Sequence, residues 1–140
     1  MKKAGMAVML IIIFFAGTLM PFTGQGENPE KIAIASEGET IHSQVADQGP
    51  RGAWLLFFNQ EGDLVEAVEN PFQHERSQAG VRCAEFLAEK EVTVFVAGQA
   101  GPKMKQVLDS RNIDFMAFSG TVDDALAQAL KKDAVSNLDN

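Results

Sequence analysis

Residues 92–97 read Val-Thr-Val-Phe-Val-Ala, an almost unbroken β-branched and apolar run. Such a run suits a strand buried on both faces, and a strand of that kind needs cover on each side of its sheet. A glycine-rich turn follows, then a helical segment from Pro102 to Arg111 with proline at the first position, where a missing N–H costs nothing. A doubly covered strand that feeds a helix is the building unit of an α/β fold, and the rest of the chain reads in the same way.

Lys31 to Ser36 (KIAIAS) is a short apolar run suited to a central strand, and residues 37–51 form a polar loop with Gly38, Gly49 and Pro50. Gly52 to Asn59 and Leu64 to Glu69 are two strands joined by the turn Gln60-Glu61-Gly62-Asp63, a hairpin. Between Ser77 and Lys90, Gly80, Cys83, Ala84 and Leu87 recur at helical spacing. Asp114 to Ser119 is a fifth strand. Val122 to about Lys132 is a last helix, with Thr121 as its N-cap and Asp123 and Asp124 in the first turn; the polar tail from Asp133 is expected to fray. The order β-β-β-α-β-α-β-α with right-handed crossovers predicts a five-stranded mixed sheet, first strand central, with helices on both faces.

Ahead of this domain stand Lys2 and Lys3 and then an uncharged run to Gly26, most apolar from Met6 to Phe15. Positive residues before a short apolar core, then Pro21 and the small residues Gly24 and Gly26, are the marks of a secretory signal peptide cut before Glu27. Ala4 to Phe22 also approaches the roughly 20 residues that span a bilayer, so an uncleaved inner-membrane anchor competes. The expected organisation is therefore a signal or anchor over residues 1–26 and one domain over 27–140, its core about 31–132. Either way the domain lies outside the cytoplasm, periplasmic or secreted.

The whole chain carries a formal −7, and loss of Lys2 and Lys3 leaves 10 basic against 19 acidic residues. That balance argues against nucleic-acid binding, which needs a basic face. One cysteine excludes an intrachain disulfide framework. No Gly-x-Ser-x-Gly, His-Glu-x-x-His or phosphate-binding P-loop pattern occurs, and the first strand lacks the acid that metal-dependent nucleases of similar topology need.

In open α/β sheets ligands sit beyond the carboxyl ends of the strands. The loops from Ser36 to Gly49, Gly98 to Lys103 and Ser119 to Thr121 should converge there. The last two deliver helix N-termini suited to an anion, with Lys103 adding charge and Gly98, Gly101 and Gly120 allowing close approach. Ser36, Ser43, Gly98, Gly101, Lys103, Ser119, Gly120 and Thr121 are the candidate ligand residues; ordinary βα turns and caps would read the same way. Metal-ligand candidates are His42, His74 and Cys83. The two histidines also suit plain exposed loop positions, and Cys83, on an apolar helix face, also suits a buried inert thiol.

Taken together, KIAIAS at Lys31, SQVADQ at Ser43, Glu69-Asn70-Pro71, Gln78-Ala79-Gly80, VTVFVAGQAGP from Val92, Asn112-Ile113 and SGTVDDAL from Ser119 carry a resemblance. From Lys31 to Leu130 the chain resembles the dinitrogenase iron–molybdenum cofactor-binding family, which includes NifX-like proteins and the C-terminal domain of NifB-like proteins. The resemblance implies a ribonuclease-H-like fold without catalytic carboxylates. It also implies a non-enzymatic carrier of an iron–molybdenum cofactor or an iron–sulfur cluster precursor, with His or Cys as direct ligands and a cluster donor or acceptor protein as partner. Two features depart from the family. Gln48-Gly49-Pro50-Arg51-Gly52 stands where members usually carry Arg/His-Phe-Gly-Arg, and the export segment is unusual for cytoplasmic cofactor assembly. The alternatives are an exported protein-interaction domain that has lost the cluster site and, last, a small hydrolase.

Overall fold

The computed structural model describes residues 30–138, and the export segment expected over residues 1–26 lies outside them. The strands are β1 (Lys31–Ser36), β2 (Trp54–Asn59), β3 (Leu64–Glu69), β4 (Val94–Ala97) and β5 (Asp114–Ala117). The helices are α1 (Ala79–Glu89), α2 (Pro102–Ser110) and α3 (Val122–Leu138), and a 3-10 turn covers Gly49–Arg51. The sheet order is β3-β2-β1-β4-β5. Strand β1 is central, as expected, antiparallel to β2 and parallel to β4.

Each inner strand sends alternate side chains to opposite faces. Ala33, Ala35, Leu55, Phe57, Phe95 and Ala97 meet α1 and α2 through Cys83, Ala84, Leu87, Met104 and Leu108. Ile32, Ile34, Leu56, Phe58, Val94 and Val96 meet α3 through Val122, Ala125, Leu126 and Ala129. Full burial of each large side chain contributes about 1.5–3 kcal/mol before entropy is charged against it. The double cover inferred from residues 92–97 is thus real: Val94 to Ala97 are all buried.

The hairpin turn between β2 and β3 is held by Asn59, whose Oδ1 accepts the N–H groups of Glu61 (3.0 Å) and Asp63 (2.9 Å). Gly62 takes φ +89°, a conformation that side chains avoid.

Several boundaries differ from the sequence expectation, among them the start of β4, which is Val94 rather than Val92. Strand β2 begins at Trp54 rather than Gly52, because Gly52 is packed against the Ala46 methyl and the Ser36 backbone. Helix α1 begins at Ala79 rather than Ser77, because Gln78 adopts a left-handed conformation (φ 59°, ψ 21°). Strand β5 ends at Ala117 rather than Ser119. Helix α3 does not fray at Asp133 but continues to Leu138; no glycine or proline lies between Thr121 and Asn140 to stop it.

Candidate functional site

The three loops do converge at the carboxyl edge of β1, β4 and β5, but the first of them fills the space. After β1 the chain reverses: the Ser36 hydroxyl donates to the Gly38 carbonyl (2.6 Å), and the Glu37 N–H to the Gln44 carbonyl (2.9 Å). Residues 44–49 then run back in the plane of the sheet. Ala46 donates to Ala35 (2.8 Å), Val45 to Gly120 (2.8 Å), Gly98 to Ala46 (2.9 Å) and Gly49 to Gln99 (2.8 Å), all through backbone groups. Val45 joins the α3 side of the core and Ala46 the other.

This placement reassigns several candidates. Ser36 is fully buried and its hydroxyl is spent on the reversal. The Ser43 hydroxyl lies 3.3 Å from that of Thr40, inside the same loop. A Cβ on Gly98 would stand 2.5 Å from the Asp47 carbonyl oxygen, so that glycine serves loop packing rather than ligand approach.

The N-terminus of α3 is closed to anions. Its Val122 and Asp123 N–H groups donate to the carbonyls of Ser43 and Ile41 (2.9 Å each), and Asp124 N–H to Asp123 Oδ1 (3.0 Å). Thr121 is therefore not the side-chain cap expected, because loop carbonyls reach those donors first. Its hydroxyl instead donates to Asp123 Oδ1 (2.5 Å). That bond, with lesser help from the Asp124 N–H and from His42, holds the Asp123 carboxyl below the usual aspartate range. With Asp123 and Asp124 in this turn, and Ser119 and Gly120 leading into it, an anion meets like charge.

The helix ends that stay open lie on the other face, between α1 and α2. A groove of about 710 Å³ is lined by Gln48, Arg51, Gln78, Gln99 and Lys103 together with backbone of the first turns of both helices. Neither helix has a side-chain cap. The N–H groups of Ala79, Gly80, Val81, Lys103 and Met104 meet no acceptor among the described residues. Each such helix end acts as roughly half a positive charge. Gly101 and Lys103 are exposed here, and a Cβ on Gly101 would meet nothing within 4 Å. The expected pairing of Gly101 and Lys103 with Ser36, Ser43 and Thr121 is not what the fold makes; their companions are Arg51 and Gln78.

Arg51, Gln78 and the α1 N-terminus were not among the sequence candidates. A signal for Gln78 and the α1 start exists, though none for Arg51: the tripeptide Gln-Ala-Gly stands at both helix starts, Gln78 to Gly80 and Gln99 to Gly101.

The metal-ligand candidates are not brought together, and no cluster of three or more His, Cys, Asp or Glu suited to a metal exists among the described residues. Cys83 is fully buried, and burial pushes its thiol up to about 12, which fits the buried inert thiol among its two readings. His42 is exposed on the α3 side, its Nδ1 3.9 Å from Asp123 Oδ2. His74 is exposed in the connector before α1, between Gln73 and Glu75, whose carbonyls both accept from Arg51 Nη1. Of the three, His74 alone is next to groove machinery.

A family model described as dinitrogenase iron–molybdenum cofactor matches residues 30–132. Among solved structures, the apo orange protein of Desulfovibrio gigas is similar, at 26% identity over 76% of this chain and 92% of that one, with a TM-score of 0.70. A candidate NifB protein from Thermotoga is 25% identical over 74% of this chain and 88% of that one, with a TM-score of 0.61. A candidate dinitrogenase from Methanocaldococcus jannaschii, at 11% identity over 76% and 92% and a TM-score of 0.54, shares the fold alone. No curated protein matches the sequence.

Proposed function

Since the chain belongs to the dinitrogenase iron–molybdenum cofactor family, we propose that it binds and carries an anionic metal–sulfur cluster in the groove between α1 and α2 without catalysing a reaction. The observation that carries this reading is the meeting of two uncapped helix N-termini with Arg51 and Lys103 in one groove of a chain whose net charge is −7. Free N–H groups and cations stabilise an anion, while the acidic remainder of the surface repels it, so the groove stands out as its place.

The described groove residues include no His, Cys, Asp or Glu, so their hold on the cluster is by hydrogen bonds and charge. A cluster held that way keeps its inner coordination and can leave, which suits a carrier handing cargo from a donor to an acceptor protein. A direct bond would fall to His74, whose chain neighbours Gln73 and Glu75 hold Arg51 through their carbonyls. An iron–molybdenum cofactor or an iron–sulfur precursor is the cargo class. Lys2, Lys3 and the apolar run after them support carriage outside the cytoplasm, by a periplasmic or membrane-anchored protein.

The test is anaerobic titration of the protein with tetrathiomolybdate, a coloured anionic molybdenum–sulfur probe, and with a reconstituted iron–sulfur cluster. Lys103→Glu should lose affinity about ten-fold or more while its unfolding midpoint stays within error, because the first turn of a helix tolerates an acid. Absence of binding by the unaltered protein would move the reading to the interaction-domain alternative. Export is checked by fractionation with intact-mass analysis: a chain starting near Glu27 in the periplasm supports cleavage, full-length protein in the membrane supports the anchor, and full-length cytoplasmic protein sinks both.

A further inference from the structure

Two polar side chains are buried among the described residues, Ser36 and Asn70, and only Ser36 is accounted for by the loop it closes. Asn70 Nδ2 donates to the carbonyls of Pro50 (3.0 Å) and Gly52 (2.8 Å), and its Oδ1 accepts the Phe72 N–H (2.9 Å). Its own N–H donates to the Ala53 carbonyl (2.9 Å). Both side-chain donors are thus spent on the carbonyls that flank Arg51. The Arg51 guanidinium in turn uses Nη1 on the carbonyls of Gln73 and Glu75, in the connector that Asn70 begins. Backbone, guanidinium and connector close a ring, with Asn70 as its buried member and Arg51 at the groove.

We infer that Asn70 is a positioning residue for the groove: it fixes Arg51 so that Nε and Nη2, which bond to no described residue, are held ready for an anion. This rests on the cargo reading above for what the anion is, but not for the pinning itself. An amide is the group required. It presents two donors from one atom and an acceptor from the other, where aspartate would set a carboxylate oxygen against two carbonyls and alanine would strand three backbone groups. An exposed arginine left unpinned samples many rotamers, and its affinity for a ligand falls by the cost of ordering it.

The full chain, labelled with nitrogen-15, tests this with Asn70→Ala, Arg51→Met and the double variant; Asn70→Ser, which keeps one donor, serves if the alanine variant fails to fold. The Arg51 Nε–H signal should be dispersed in the unaltered protein and collapse to the free-arginine position in the Asn70 variant, with the sheet amides unmoved. Affinity for tetrathiomolybdate should fall about ten-fold in each single variant and no further in the double, the non-additivity expected of residues in one hydrogen-bonded ring. A dispersed Arg51 signal in the Asn70 variant overturns the inference, as does a loss of affinity from Asn70 substitution that persists in full when Arg51 is already methionine. If the signal collapses but the unaltered protein does not bind the probe, the cargo reading falls and the pin stands.

Discussion

Gly80 and Met104 touch where the first turns of α1 and α2 cross: a Cβ added to Gly80 would stand 2.9 Å from the Met104 Cβ. That atom sits next to the backbone and cannot swing away, so a side chain at position 80 must part the helices. The contact sets both free helix ends on one groove. Gly80→Val should therefore cost about 1–3 kcal/mol of stability by overpacking and also weaken binding of tetrathiomolybdate. Chemical denaturation and titration read the two effects. An unchanged unfolding free energy would show that the helices separate without cost.

Gly98 and Gly101 lie three residues apart and should respond oppositely. Alanine at position 98 meets the Asp47 backbone at 2.5–3.1 Å, so Gly98→Ala should be severely destabilising, by about 2 kcal/mol or more. At position 101 there is open space and φ is −68°, which any residue adopts. Gly101→Ala should change stability by less than about 1 kcal/mol, its gain in chain stiffness offset by a poorer cap. Gly101→Val should leave folding nearly intact but lower affinity for the probe, because its bulk stands at the groove mouth.

The Thr121–Asp123 bond makes the start of α3 sensitive to acid. Asp123 has a folded pKa below its unfolded value, so its contribution is present above the ordinary aspartate range and is lost as pH falls through the lower folded value. Thr121→Val removes the first cause of that shift and should raise the Asp123 carboxyl pKa, read from its carbon-13 shift against pH. A titration curve identical to that of the unaltered protein would show that the hydroxyl does not govern it.

Cys83 should be silent in the native state. With its thiol pushed up to about 12 and no solvent contact, it should not react with a thiol reagent at pH 8 until the protein opens. The labelling rate under denaturant should follow global unfolding. The folded pKa lies above the unfolded one, so this anion-forming group lowers stability as pH rises past about 8.5. Cys83→Ala should abolish that alkaline loss while leaving tetrathiomolybdate binding intact, and loss of binding in this variant would restore the thiol as a ligand.

Local pattern in the sequence determined the strands and helices and, through handedness, their order. Alternation set β3 to Leu64–Glu69, Pro102 set the start of α2, and the apolar run at Val92 announced a sheet covered on both faces. These follow from near neighbours in the chain, whose side chains alone decide which period fits. The resemblance carried in the same residues reached the family as well. Only the tertiary structure decided which helix ends stay open. The α3 end reads as one of two helix starts suited to an anion, with a hydroxyl, a glycine and a free first turn, yet carbonyls from Ile41 and Ser43, some eighty residues earlier, occupy its donors. The α1 end reads as nothing special, yet Gly80 draws it against Met104, and Asn70 brings Arg51 beside it. A backbone donor carries no mark of which distant carbonyl will take it. Whether it is spent or free is settled when the segments pack, and for this chain that choice closed the α3 end and left the ends of α1 and α2 open.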